Sequence, residues 1–446
     1  MNELQTTEYT QDRLQALAKQ ILEEAAKQGA SSAEVDIGIN KGFSVTARKG
    51  DVESVEYHQD KNVDITVYFG HRSGSASLSD LRYQAICDAV KAACNIARFT
   101  DEDPYSGLAD INELAFNYPQ IELAFPWDIT VEEAIAKMRD CEAEALVLDK
   151  KISSEGSSLT TMQAGSVYAN SLGFIGSYPL TRHEISCVLV AKENDEMQRD
   201  YSYTVACDPL QLNTIDKLAK EAVEKTVRRL GARKIPTQRV PVIFIAEEAR
   251  SFLGTFLAAI SGGNIYRKTS FLVDHLGKMV FPSYITLQER PHLNKALGSA
   301  PFDNDGVITR DNIFIENGIL KLYLLGTYSA RKLGLKSTGN AGGAHNLFVS
   351  TGKKDLAGLL KTMDKGLLVT ELMGHGTNLL TGDYSQGAVG FWVENGTIQY
   401  PVQEITIASN LKDMYQQIIE IGNDVDTRGK VRTGSILIEN MMIAGH

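Results

Sequence analysis

Between Leu14 and Ile39 the hydrophobic period of the chain changes, and this change constrains the fold more than any other feature. Leu14, Leu17, Ile21, Leu22 and Ala25 recur at the spacing of one helix face, and Gly29 follows as a stop. Val35, Ile37 and Ile39 then alternate with Glu34, Asp36 and Gly38, which is the period-two pattern of a half-buried strand. Further strand-like runs start at Phe43, Val52 and Val63, separated by glycines and polar residues, so the spacing predicts a meander. Ser79 is placed to cap the next helix, whose buried stripe would hold Ala85, Ile86, Ala89, Val90, Ala93 and Ile96.

The same order then recurs. The turn-rich connector from Thr100 to Asp110 reads as an ordered loop. Thr130 with Glu133 forms a capping box for a helix running through Ile135, Met138, Ala145 and Leu146. A second β region is expected from Ser166 to Ala206, and a third helix from about Leu212 to Leu230, ended by Gly231. Helix, strands, helix, twice over, suggests an internal duplication of segments 1–110 and 111–235, although no residue-level repeat is visible. The short polar stretch from Gly231 to Val240 marks the boundary between an N-terminal domain, 1–235, and a C-terminal domain, 236–446. A chain of 446 residues also exceeds what one compact core usually serves. Beyond the boundary, Asn317-Gly318 and Asn395-Gly396 sit between apolar runs and supply the two positive-φ positions of a type I′ hairpin turn. The expected class is α+β: an N-terminal region of helices and antiparallel strands, then a region mainly of antiparallel β with a few helices.

Bulk charge narrows the function. The formal net charge is −11 and no basic block occurs, which argues against binding nucleic acid or an anionic membrane surface. The N-terminal residues lack a basic region followed by an apolar one, and no run approaches 18 apolar residues, so neither a secretory signal nor a membrane span is expected. Cys87, Cys94, Cys141, Cys187 and Cys207 are odd in number, widely spaced and free of CxxC pairs, which suits reduced thiols and a cytoplasmic location.

The stretch from Pro241 to Asn264 carries the main chemical question. Val242, Ile243, Phe244 and Ile245 read as a strand, and Glu247 and Glu248 open a helix, the step at which a metallopeptidase presents a glutamate between histidine ligands. No histidine lies between His183 and His275, and Phe252, Leu253, Phe256, Leu257 and Ile260 form a core-facing stripe. His183 and Cys187 share a strand face but lack an orienting partner, so Cys187 reads as buried and structural. Glu371, His375 and Asp383 form the densest set of possible ligands, in a glycine-rich segment whose spacing fits no standard metal motif. With His345, a lone histidine in a second glycine-rich loop, they are candidates for lining a substrate groove. The run from Arg72 to Ser77 lacks the lysine and spacing of a phosphate loop, and no GxGxxG joins a strand to a helix.

Several longer stretches carry a family resemblance. They are DPYSGLAD from Asp103, ISGGNIYRKTSFLVDHLGK from Ile260, PFDNDGV from Pro301, and YSARKLGLKSTGNAGGAHN from Tyr328. To these add ELMGHGTNLLTGDYSQGAVGFWVENG from Glu371, EITIASNLKDM from Glu404 and IGNDV from Ile421. Together they span nearly the whole chain, which on them resembles the TldD/PmbA family, formerly called modulator of DNA gyrase. The resemblance implies a cytoplasmic subunit that pairs with a TldD-type partner as a heterodimeric zinc metallopeptidase. Such an assembly cuts unfolded peptides inside a closed cavity, in peptide-antibiotic maturation and antitoxin degradation. It also implies that the partner carries an HExxxH helix and a C-terminal ligand cysteine. By position that helix falls on Glu247 to Phe252, where only Glu248 survives, and Glu247 and Phe252 stand at the histidine positions. The cysteine would fall between Asp426 and Ser435, and no cysteine follows Cys207. The expectation is no catalytic residue and no metal in this chain, zinc in the partner, and hydrolase activity only with that partner. Two alternatives are a non-enzymatic peptide-binding or regulatory homodimer, and an independent peptidase with an unrecognised site around His375 and Asp383.

Overall fold

The computed structural model of the chain describes residues 11–374 and 376–445, so His375 lies outside the described residues. The first half builds one six-stranded antiparallel sheet from α1 (Gln11–Lys27), β1 (Ser32–Arg48), β2 (Asp51–Phe69), β3 (Arg72–Leu78), α2 (Tyr83–Phe99), α3 (Val131–Leu148), β4 (Ile152–Asn170), β5 (Ile175–Glu193), β6 (Glu196–Ala206) and α4 (Ile215–Val227). Strand order is β3-β2-β1-β4-β5-β6, so two helix–meander–helix units meet at the β1–β4 pairing. Helices α1 and α2 cover one half through Leu14, Ile21 and Val90 against Val35, Ile37 and Ile65. Helices α3 and α4 cover the other through Met138, Leu218 and Val223 against Leu159, Ile185 and Leu189.

Several local expectations shift. The short strands expected between residues 35 and 69 are two long ones, β1 and β2. Gly42 is not a turn: a Cβ there would lie 2.0 Å from the carbonyl oxygen of Thr161, so its missing side chain lets β4 approach. The second β region starts at Ile152, fourteen residues before Ser166, in a Ser/Thr-rich run without apolar alternation. Ser79 does not cap α2; the N-cap is Arg82, whose backbone N–H donates to Asp80 at 3.0 Å. The buried stripe is Ile86, Val90, Ala93, Cys94 and Ala97, and Ile96 is 50% exposed. The Thr130–Glu133 capping box forms as expected, with both reciprocal bonds present.

The second half contains β7 (Gln238–Phe244), α5 (Ala246–Ala259), α6 (Gly262–Tyr266), β8 (Leu287–Glu289), β9 (Asn312–Glu316), β10 (Ile319–Leu320), α7 (Thr327–Leu333) and β11 (Leu347–Val349). It continues with α8 (Leu356–Met363), β12 (Gly366–Met373), β13 (Asp383–Glu394), β14 (Thr397–Asn410), α9 (Leu411–Gln416), β15 (Ile418–Ile421), β16 (Val431–Arg432) and β17 (Ile436–Ala444). One sheet runs β14-β13-β12-β7-β17-β15, and β14 pairs with β17 as well, so β7, β12, β13, β14 and β17 close into a ring. The other runs β10-β9-β8-β11-β16. Both Asn-Gly pairs form the expected hairpins, with positive φ at Asn317, Gly318, Asn395 and Gly396. The largest core cluster unites α5 with both sheets through Phe244, Phe252, Phe256, Phe314, Tyr415 and Ile438. The whole is α+β, β-rich in its second half, as the sequence predicts. No helix among the described residues is long and apolar enough to cross a membrane.

Candidate functional site

The site is built at the head of α5. Strand β7 ends at Phe244, and Ile245 serves as N-cap with φ −59° and ψ 157°. Ala246 N–H donates to Ser435 Oγ at 3.1 Å, and that hydroxyl donates to Asp424 at 2.6 Å, which satisfies one of the unpaired amides of the helix start. Glu247 and Glu248 lie in the first turn, where the helix dipole favours negative charge.

The two glutamates lead different lives. Glu247 accepts from Lys225 at 3.1 Å and from Arg428 at 3.2 Å. Arg428 also grips Asp426 at 2.9 Å and lies 4.4 Å over the ring of Tyr203. Arg250 bridges Asp426 at 3.4 Å and donates to the Tyr203 hydroxyl at 2.7 Å. This network ties α4 and β6 of the first sheet to α5 and the segment before β16. Glu248 is half-buried and faces other acids. Its burial, then Glu247, then Glu371, push its carboxyl up to about 7. Tyr384, 2% exposed, has a hydroxyl without a hydrogen-bond partner among the described residues, and burial followed by the charge of Glu248 raises its phenol. Glu371 is bound in turn to Arg229, which also reaches Asp200 at 3.2 Å.

Beside this network lies a cleft of about 510 Å³, lined among others by Thr204, Glu221, Lys225, Glu247, Asp426 and Arg428. It opens between the two halves of the chain. Its charges of both signs suit a polar, extended ligand better than an apolar one.

The other sequence candidates are dispersed. His345 is buried and donates through Nδ1 to Glu289 at 3.1 Å; Glu289 also accepts from Asn312 and Asn340, each at 2.8 Å. Asp383 is exposed and accepts from Thr381 at 2.6 Å and Asn410 at 3.3 Å, organising its own turn. Of the groove candidates, Glu371 acts on Glu248 through its charge, while His345 packs against Glu289 of β8 in the second C-terminal sheet. His183 is fully buried between Thr161 and the carbonyl of Phe125, both at 2.9 Å, and Cys187 is fully buried on the same strand. Both are core residues. Lys225, Arg229 and Arg428 have no local signal in the sequence, since the glutamates they hold lie 22, 142 and 181 positions away.

The residues at the positions where the resemblance places a metal-binding helix do not fit zinc. Phe252 has no donor atom and is 1% exposed, stacked on Phe244 with ring centroids 5.8 Å apart and tilted against Tyr415 at 4.8 Å. Glu247 is already held by two cations. Among the described residues no group of three or more His, Cys, Asp or Glu side chains could hold a metal ion.

Comparison with known proteins agrees with the resemblance read from the motifs. The family models for PmbA/TldA metallopeptidase domain 1, central domain and C-terminal domain match residues 33–97, 125–230 and 237–445. The chain is 46% identical over 435 residues to Metalloprotease PmbA of Escherichia coli O157:H7, covering 96% of this chain and 97% of that protein. It is 45% identical to a Metalloprotease PmbA homolog of Haemophilus influenzae, covering 95% and 94%. The crystal structure of a putative modulator of DNA gyrase from Bacteroides thetaiotaomicron superposes with a TM-score of 0.92 at 26% identity, covering 98% of this chain and all of that one. The chain therefore belongs to the TldD/PmbA metallopeptidase family.

Proposed function

We propose that this chain is the metal-free, PmbA-type subunit of a two-chain cytoplasmic metallopeptidase that acts on unfolded peptides. A TldD-type partner supplies the zinc and the catalytic groups, and no cofactor binds here. The observation that supports this reading is Phe252: at the position that the resemblance gives to a ligand histidine stands the centre of an aromatic core. Glu248 is retained, yet without a metal beside it nothing lowers the pKa of an attacking water. This chain contributes cavity walls and holds substrate in extended form, and the mixed-charge cleft beside Glu247 is the groove that suits that task.

The test measures bound zinc and cleavage of an unfolded peptide for this chain, for a TldD-type partner, and for their mixture. The expected result is zinc in the partner and chelator-sensitive cleavage strongest in the mixture. Stoichiometric zinc or chelator-sensitive cleavage by this chain alone would overturn the proposal. A mixture that neither associates nor gains activity would favour a peptide-binding homodimer instead.

A further inference from the structure

The second C-terminal sheet borders a cavity of about 330 Å³ that none of the preceding chemistry uses. Its charged lining is Arg310, Lys321 and Lys336, and no aspartate or glutamate contributes to it. In a chain of formal net charge −11 this local excess of cations is informative. Lys321 is partly neutralised by Glu316 at 3.3 Å. Arg310 reaches only the carbonyl oxygen of Ser337, at 3.1 Å, and neither it nor Lys336 makes an ion pair with a carboxylate among the described residues. The remaining wall includes Leu276, Leu325 and Leu335, of which Leu276 is 37% and Leu335 41% exposed.

The neutral polar groups of the cavity are already engaged. The Asn312 amide donates to Glu289 at 2.8 Å and to Thr338 O at 2.9 Å. The Ser337 hydroxyl donates to Leu325 O at 3.2 Å, and the Tyr323 hydroxyl to Leu272 O at 2.9 Å. The unused hydrogen-bonding capacity of the cavity is therefore cationic. A bare inorganic anion would leave the leucines in water, and a neutral apolar group would leave the guanidinium without a counter-charge.

We propose that this cavity binds a carboxylate joined to a short apolar group, such as the C-terminal end of a peptide that finishes on aliphatic residues. Arg310 and Lys336 take the carboxylate, the planar guanidinium matching its two oxygens, while Leu276, Leu325 and Leu335 cover the hydrocarbon. The inference is independent of the peptidase reading, because it needs neither metal nor partner.

Isothermal titration calorimetry of the full chain tests it, with acetyl-Leu-Leu bearing a free C-terminus, the same peptide as its C-terminal amide, and octanoate. The free acid binds, the amide binds at least about tenfold more weakly, and added salt weakens the free acid. Arg310→Gln and Lys336→Gln, both at exposed positions, each reduce that affinity about tenfold or more. Octanoate competing at the same residues supports the site, and the tighter of the two probes tells whether its natural carboxylate belongs to a peptide or to a fatty acid. Equal binding of acid and amide, no binding of either carboxylate, or binding indifferent to both substitutions overturns the proposal.

Discussion

Phe252 packs against Tyr415 with ring centroids 4.8 Å apart, and both side chains are buried at the junction of α5 and the closed sheet. Phe244, Phe256, Phe271 and Phe281 extend the same cluster around Phe252 and Tyr415. A ring in such a cluster contributes through area removed from water and through edge and face contacts. Phe252→Ala is therefore expected to lower stability by about 3–5 kcal/mol in urea denaturation. Phe252→His should also destabilise, because it buries an imidazole without a partner. A histidine variant as stable as the parent would mean that the helix still tolerates a polar ligand there.

Glu247 connects the two halves of the chain through Lys225 and Arg428. Its side chain is 15% exposed, so the charges are screened less than those of a surface pair. A double-mutant cycle on Glu247→Gln and Lys225→Gln should give a coupling of about 1 kcal/mol. Arg428→Gln should cost more, about 2–4 kcal/mol, because it removes the main cation from Asp426, whose side chain is 5% exposed. Amide exchange in α4 and in the segment before β16 reads the same effect locally: both should open faster in Arg428→Gln. Unchanged protection there would show that the network is decorative.

What the sequence revealed and what it hid divide along physical lines. Features decided within a few residues were legible: the Thr130–Glu133 capping box, the Asn317-Gly318 and Asn395-Gly396 turns, and the buried stripe of α5. Each depends on local backbone geometry or on a period. The role of Gly42 was hidden because its reason is long-range: the backbone of β4 passes where a side chain would be. The Ser/Thr-rich first part of β4 was missed for a related reason: it is held by pairing with β5, and from Ser157 with β1 as well, not by an apolar alternation of its own. The site was half legible. Glu247, Glu248 and Phe252 stood out through the family motif, whereas Arg229 reaches Glu371 across 142 positions and no periodicity announces such a pair.

Glu289 is fully buried and accepts from His345 N at 2.6 Å, from the His345 ring, and from Asn312 and Asn340. Burial raises its carboxyl, but the bonds and charge of His345, with Asn312, outweigh it and hold the group below the usual carboxylate range. A depressed folded-state pKa gives stability that is present above the unfolded value, about 4.3, and is lost as pH falls through the folded value. Glu289→Gln turns one acceptor into a donor facing other donors, so a loss of about 2–4 kcal/mol is expected at pH 7. That loss should shrink as pH falls below the unfolded value and through the depressed folded one, where the parent carboxylate itself takes up a proton. A pH-independent difference in thermal or urea denaturation would contradict the assignment of Glu289 as the ionised centre of this network.

Glu248 offers the sharpest separation between a relic and a catalyst. Its carboxyl is pushed up to about 7, chiefly by burial and then by Glu247 and Glu371. The folded chain thus keeps a proton that the unfolded chain has lost between about pH 4.3 and 7, and stability falls as pH rises through that window. Glu248→Gln removes the penalty, so the variant should gain stability over the parent between pH 5 and pH 8, on the order of 1–2 kcal/mol by urea denaturation. If catalysis resides in a TldD-type partner, the same substitution should leave peptide cleavage by the reconstituted mixture within about twofold, whereas loss of a general base costs about 100-fold or more. The two readouts are independent, because one follows the charge of Glu248 and the other follows its contact with a reacting water. A stabilised variant with unchanged cleavage is the signature of a retained carboxylate that no longer has a metal to serve, and a hundredfold loss of cleavage would place Glu248 back in the chemistry.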